Sequence, residues 1–156
     1  MSNNFDTLQR EIIALSVADT WDKAVKEWSL NYIEMLDEAV ETCLCEHYPL
    51  KELCFLMNHE NGYETMVGNV CVNRFMGIDS ESIFRGFKRI MKDPTKAASV
   101  ELADYAYSSH LIDEWEHTFL EDTVALRRLS LRQANKRHEI NTRLVKTILR
   151  PTPNKP

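Results

Sequence analysis

The segment "CLCEHYPLKELC", residues 43–54, places three of the chain's four cysteines and a histidine within twelve positions, and the fourth cysteine follows in "VGNVCVNRF". Two cysteines separated by a single residue can reach one ion together only if the backbone turns sharply around it. Cys43 and Cys45 meet that requirement, and His47 continues the same turn with a ring nitrogen to offer. Cys71 follows Gly68 at a predicted helix start, where backbone N–H groups favour a thiolate. A knuckle, a hairpin and a ligand at a helix start describe a treble-clef-like arrangement around a structural zinc ion.

No apolar run approaches the roughly 18 residues of a membrane span, and the opening "MSNNFDTLQR" lacks the basic-then-apolar order of a secretory signal. A cytoplasmic location is therefore expected, where thiols stay reduced and clustered cysteines point to a metal rather than to disulfides. The fourth ligand has two candidates. His47 gives a site of three cysteines and one histidine and is preferred. Cys54 would give an all-cysteine site, but it falls inside a predicted strand on the face of Leu56, where a free cysteine behaves as a small buried hydrophobe.

The surrounding pattern predicts an α+β fold, mostly helical, with a central zinc-stabilised β-hairpin knuckle. Residues 1–40 read as N-terminal helices and a short strand. Leu8, Ile12, Ile13 and Leu15 have helical spacing, as do Trp21, Ala24 and Trp28, the second helix capped by Asp19 or Thr20. "LNYIEML" alternates loosely as a strand, with a helix continuing through "MLDEAVE" as its rival. Residues 41–93 form the zinc-binding module, in which "LCFLM" and "YETMV" flank a turn centred on "HENG". A short helix follows Cys71, and a second, capped by Asp79 or Ser80, carries Ile83, Phe84, Phe87, Ile90 and Met91 on one face.

Pro94 in "KDPTK" breaks the chain, and residues 95–150 read as a C-terminal helical unit. Its helices cover Val100–Tyr107, Asp113 to about Leu126, and a third opened by Ser130 with Gln133 at capping-box spacing. Trp115, Phe119 and Leu120 are expected to pack inward, and Ile140, Leu144 and Ile148 to form the apolar stripe of the last helix. Three prolines within residues 151–156 make that stretch a disordered tail.

"CLCEHYPLKELCFLMNHENG", followed by "MVGNVCVNRFMGI", resembles a pattern found in a family of small, largely uncharacterised zinc-binding proteins of bacteria, prophages and phages. The pattern is a Cys-x-Cys turn, a Pro-hydrophobic-Lys step, a hairpin with Asn and Gly, then Val-Gly-Asn-x-Cys-Val and a Phe. "KEWSLNYIE" and "IDEWEHTFLEDTVALRRLSLRQ" are similar to further parts of it, so the resemblance covers most of the chain. It implies a zinc site at Cys43, Cys45 and Cys71, and no particular activity. Glu46 stands where a small residue is expected.

Charge is distributed unevenly. The 156 residues carry a formal net charge of −5, yet residues 127–150 hold eight Lys and Arg against Glu139 alone. An acidic body with a basic end results. Arg85, Lys88, Arg89 and Lys92 lie opposite the apolar face of their helix, and Arg132, Lys136 and Arg143 lie off the stripe of the last one. These are candidate phosphate contacts for nucleic acid. The alternative is a protein-interaction role, an adaptor or inhibitor presenting the zinc module to a host or partner protein.

An enzyme is not expected. Glu114 and His117 have the Glu-x-x-His spacing of carboxylate-bridged metal clusters, but those need a second copy of the motif and further glutamates. His59 belongs to a turn, and His110 and His138 are isolated. The chain contains no phosphate loop, nucleophile motif or dinucleotide fingerprint.

Overall fold

The structure, a computed structural model, describes residues 4–77 and 79–150. The fold is α+β, with seven helices and a four-stranded sheet among these residues and about half of the chain helical. It divides into two compact units. One runs to Ser80 and takes in Leu149 and Arg150; the other spans Glu81–Ile148. The proline-rich stretch read as a disordered tail lies outside the described residues.

The first unit contains α1 (Asn4–Ala14), α2 (Trp21–Val25), β1 (Trp28–Leu36), β2 (Glu52–Asn58), β3 (Glu64–Gly68), α3 (Asn69–Met76) and β4 (Leu149–Arg150). Sheet order is β3-β2-β1-β4; β4 runs parallel to β1 and the other pairs are antiparallel. The strand reading of "LNYIEML" holds, and the rival helix is absent. Trp28, expected in the second helix, instead opens β1, buried with its indole N–H donating to Ser16 Oγ at 2.8 Å. The register shifts between Leu30 and Tyr32, so Asn31 is an extra residue. A bulge reverses the inward parity of a strand, which explains the loose alternation in the sequence. Beyond it, Tyr32 stacks on its cross-strand partner Phe55 with ring centroids 4.5 Å apart.

The β2–β3 hairpin forms where the Asn-Gly turn requires it, Gly62 taking φ +76°. Asn58, fully buried at the end of β2, accepts from the amides of Glu60 and Asn61 and donates to Glu27 Oε1 at 2.9 Å. Glu27 also accepts from the amides of Val17 and Ala18, both at 2.8 Å. This buried carboxylate ties the α1–α2 connection to the hairpin turn. The Asn58 amide and the two backbone donors hold its pKa below the ordinary carboxylate value.

The second unit is helical: α4 (Ser80–Lys92), whose first residue belongs to the first unit, α5 (Val100–Ser108), α6 (Glu114–Thr123) and α7 (Leu131–Ile148). Ile83, Phe84, Phe87 and Ile90 of α4 and Ile140, Leu144 and Ile148 of α7 are buried, as their spacing requires. Of the expected caps, the box opened by Ser130 is present, whereas Thr20 N-caps α2 without a side-chain bond. Asp113 and Glu116 form a reciprocal capping box, and Ser130 and Gln133 exchange the same pair of bonds. Trp115 departs from expectation: Leu120 is buried, whereas Trp115 is 59% exposed. The Pro94 turn is gripped from α7, where Asn141 Nδ2 donates to the carbonyls of Pro94 at 2.9 Å and Lys96 at 2.8 Å.

Candidate metal centre

The knuckle sits on a short ladder that prolongs the sheet. Leu50 exchanges backbone hydrogen bonds with Glu41, and the chain between them folds back on itself. Cys43 N–H donates to the His47 carbonyl at 2.9 Å, and Glu46 N–H donates to the Cys43 carbonyl at 2.8 Å. A loop closed this tightly needs one residue in the left-handed region. That residue is Glu46, at φ +75°, the position where the resemblance leads one to expect something small. A side chain is tolerated there at a conformational cost that glycine would avoid.

Cys71 arrives from the opposite side in the first turn of α3, which is N-capped by Gly68. The sulfurs of Cys43, Cys45 and Cys71 lie within 4.8 Å of one another, and all three residues are buried. The Gly68 amide donates to Cys43 Sγ at 3.2 Å. Together the trio could hold a metal ion.

Its electrostatics single out one thiolate. The Cys71 thiol donates to Cys43, and with help from the amide donors Cys45 and Gly68 this lowers the Cys43 pKa to about 5, against the effect of burial. Cys71 is raised, first because its proton bonds the Cys43 sulfur and then by burial. Burial also raises Cys45. The cluster thus favours a thiolate at Cys43, an arrangement suited to receiving a cation.

Neither candidate for a fourth ligand belongs to the group of three. His47 is exposed, at the rim of a cavity of about 220 Å³ that the three cysteines line together with Asn4, Asn69 and Arg74. Cys54 is fully buried on β2, and its sulfur meets the Ser80 hydroxyl. Burial pushes its pKa up to about 12, so it stays a thiol. The Gly68 amide and the lining side chains Asn4, Asn69 and Arg74 were not legible as site residues. The one signal for Gly68 was its place just before a predicted helix.

The candidate nucleic-acid residues all belong to the second unit. Arg85, Lys88, Arg89 and Lys92 occupy the exposed face of α4, with Arg85 3.4 Å from Glu81. Half of the basic residues in the run 127–150 have partners within the chain. Arg137 is buried and donates to the Thr123 carbonyl at 2.6 Å; loss of hydration lowers its pKa. Arg143 lies 2.6 Å from Glu116, Arg150 2.8 Å from Glu34, and Lys136 3.4 Å from Glu139. Arg127, Arg128 and Arg132 are exposed.

The Glu-x-x-His spacing proves irrelevant to the contacts of His117. Its Nε2 lies 2.9 Å from Asp104 and its Nδ1 3.0 Å from Glu121, with Tyr107 stacked on the ring at 4.6 Å. The two carboxylates come from α5 and α6, and with His117 they form a second, partly exposed group whose atoms lie within 4.8 Å of one another, close enough to hold a metal ion. Among the described residues no helix is long and apolar enough to cross a membrane. Comparison with family models, curated proteins and solved structures gives no match for this chain.

Proposed function

We propose that the protein is a small, non-enzymatic binding protein that is stabilised by a structural zinc ion and associates with nucleic acid. The observation that carries the zinc assignment is the convergence of three buried sulfurs within 4.8 Å of one another from two chain segments. Tetrahedral zinc with Zn–S bonds of about 2.3 Å needs its sulfurs roughly 3.8 Å apart, which small side-chain shifts supply here. His47, exposed at the cavity rim, turns its ring inward as the fourth ligand. A closed four-ligand site of this kind holds the knuckle against the start of α3 in the treble-clef manner and leaves no position for a substrate.

The nucleic-acid association is supported by the exposed cations of α4, Arg85, Lys88 and Arg89, together with Arg132 and Lys136 of α7. Arg143 is removed from the contact set, because its guanidinium is engaged by the Glu116 carboxylate. The test combines elemental analysis with fluorescence anisotropy. Freshly purified protein should contain one zinc per chain, and it should bind DNA or RNA with an affinity that falls steeply as salt rises. Protein without zinc, or without affinity for nucleic acid at low salt, would sink the corresponding half of the reading.

A further inference from the structure

Trp115 is the largest exposed apolar side chain whose surroundings carry a distinct chemistry. It lies nearly parallel to Phe119, one helical turn on, with ring centroids 5.4 Å apart and an interplanar angle of 9°. The ammonium of Lys136 sits 5.5 Å from the centre of the indole ring. Arg132 and Gln133 of α7 complete a groove of about 550 Å³ around the two aromatics. An exposed indole is costly to leave in water, and here, apart from Phe119, the side chains around it are two cations and an amide.

We propose that this groove binds an unpaired base of single-stranded nucleic acid, an inference that rests on the nucleic-acid reading above and narrows it. The base stacks against Trp115 in the place of the Lys136 ammonium. That ammonium and the Arg132 guanidinium take the adjoining phosphates, while Gln133 supplies an amide to the base edge. Charge complementarity selects the occupant. An aromatic platform beside cations matches a π-face followed by a phosphate, the repeating chemistry of a single strand. A duplex hides its base faces in its own stack and has no such group to offer. The competing contact on Lys136 is an exposed ion pair with Glu139 at 3.4 Å, which is worth little in water. Asp122 lies one turn beyond Phe119 on the same helix face and is exposed, so it excludes phosphate from that end and directs the strand toward α7.

The experiment uses the full-length, zinc-loaded protein, labelled oligothymidylate as the single strand, and the same strand paired with oligoadenylate as the duplex. Trp115→Ala should weaken single-strand binding by roughly 5- to 150-fold, the range for loss of one stacked base, while the salt slope and duplex binding stay unchanged. Trp115→Phe should restore most of the affinity, which a merely structural role for the indole would not distinguish in this way. Arg132→Glu combined with Lys136→Glu should instead flatten the salt dependence. Circular dichroism and melting confirm that each variant is folded. Wild-type-like single-strand binding by Trp115→Ala overturns the groove while leaving the broader nucleic-acid reading in place. No binding of either ligand by the unmodified protein at low salt overturns both, and leaves the groove to a protein partner.

Discussion

The backbone amide of Gly68 donates to the Sγ of Cys43 at 3.2 Å, across twenty-five positions of sequence. A Cβ at Gly68 would come within 3.1 Å of the Leu50 side chain, so the amide reaches the sulfur where there is little room for anything larger. Gly68 also N-caps α3, and Cys71 follows in the first turn of that helix. One short stretch of backbone thus positions one sulfur of the trio and stabilises the charge on another.

Zinc removal should therefore destabilise the first unit more than the second. Cys71→Ser should lose most of its zinc and melt well below the parent, because the binding free energy of a structural zinc is folding free energy. His47→Ala should retain zinc poorly in a chelator competition. Cys54→Ala should keep the metal and lose only about 1 kcal/mol of stability from a small buried contact. Zinc retention in the order Cys54→Ala, His47→Ala, Cys71→Ser checks the assignment; a Cys54→Ala protein that releases zinc first would refute it.

Metal affinity should rise with pH. Near neutrality Cys43 has already lost its proton, whereas Cys45 and Cys71 are held as thiols. Each must become a thiolate to bind, so loading should release about two protons per zinc from the cysteines. Below pH 5, where Cys43 is also protonated, the release should approach three and affinity should fall more steeply. Calorimetry in buffers of different ionisation enthalpy measures the count directly.

Glu46→Gly should stabilise the protein. Glu46 takes φ +75°, in a region that costs an L-residue about 1–2 kcal/mol and glycine almost nothing. Part of that gain is offset by the greater freedom of glycine in the unfolded chain, leaving about 0.5–1 kcal/mol. A higher melting temperature for Glu46→Gly, and a lower one for Glu46→Val, is the expected pair of results.

Gly86→Ala should destabilise the second unit despite alanine's better helix propensity. A Cβ at Gly86 would lie 2.9 Å from Ser99 Cβ and would collide with the Ser99 hydroxyl. That hydroxyl caps α5 by accepting from the Leu102 amide at 3.2 Å. Overpacking and a disturbed cap together predict a loss of about 1–3 kcal/mol in denaturant melting. Gly86→Ala melting at or above the parent would contradict the close packing.

Arg143→Ala and Arg132→Ala should behave differently. Glu116 is 7% exposed and accepts from Arg143 at 2.6 Å, so removing the guanidinium leaves a nearly buried carboxylate short of its ion-pair partner. A loss of about 1–3 kcal/mol is expected. Arg132 is exposed, and its replacement should change stability by less than about 0.5 kcal/mol. Thermal melts of the two variants make the comparison.

Much of the architecture could be read locally. The hairpin turn at Asn61-Gly62, the cap at Ser130, and the apolar stripes of α4 and α7 depend on residues a few positions apart, and they fold as their spacing predicts. Trp28 was misplaced because Trp21, Ala24 and Trp28 fit a helical period, while the pull into β1 comes from its pairing with Asn58 thirty positions later. The two-residue β4 has no periodicity to detect. It exists because Leu149 and Arg150 find Met35 and Leu36 beside them.

The site divides along the same line. The sequence alone determined that Cys43 and Cys45 could share one turn and that Cys71 began a helix after a hairpin, since those facts are spacing and turn chemistry. Only the tertiary structure decided that the three sulfurs meet, that Cys54 faces Ser80 instead, and that Glu46 occupies a left-handed position. It also decided which cations remain exposed. A run of eight basic residues looks like one field on paper, yet Arg137 points at backbone carbonyls and Arg143 and Arg150 at carboxylates from distant segments. Charge is a property of a residue, whereas its availability depends on which groups the fold brings within a few ångströms of it.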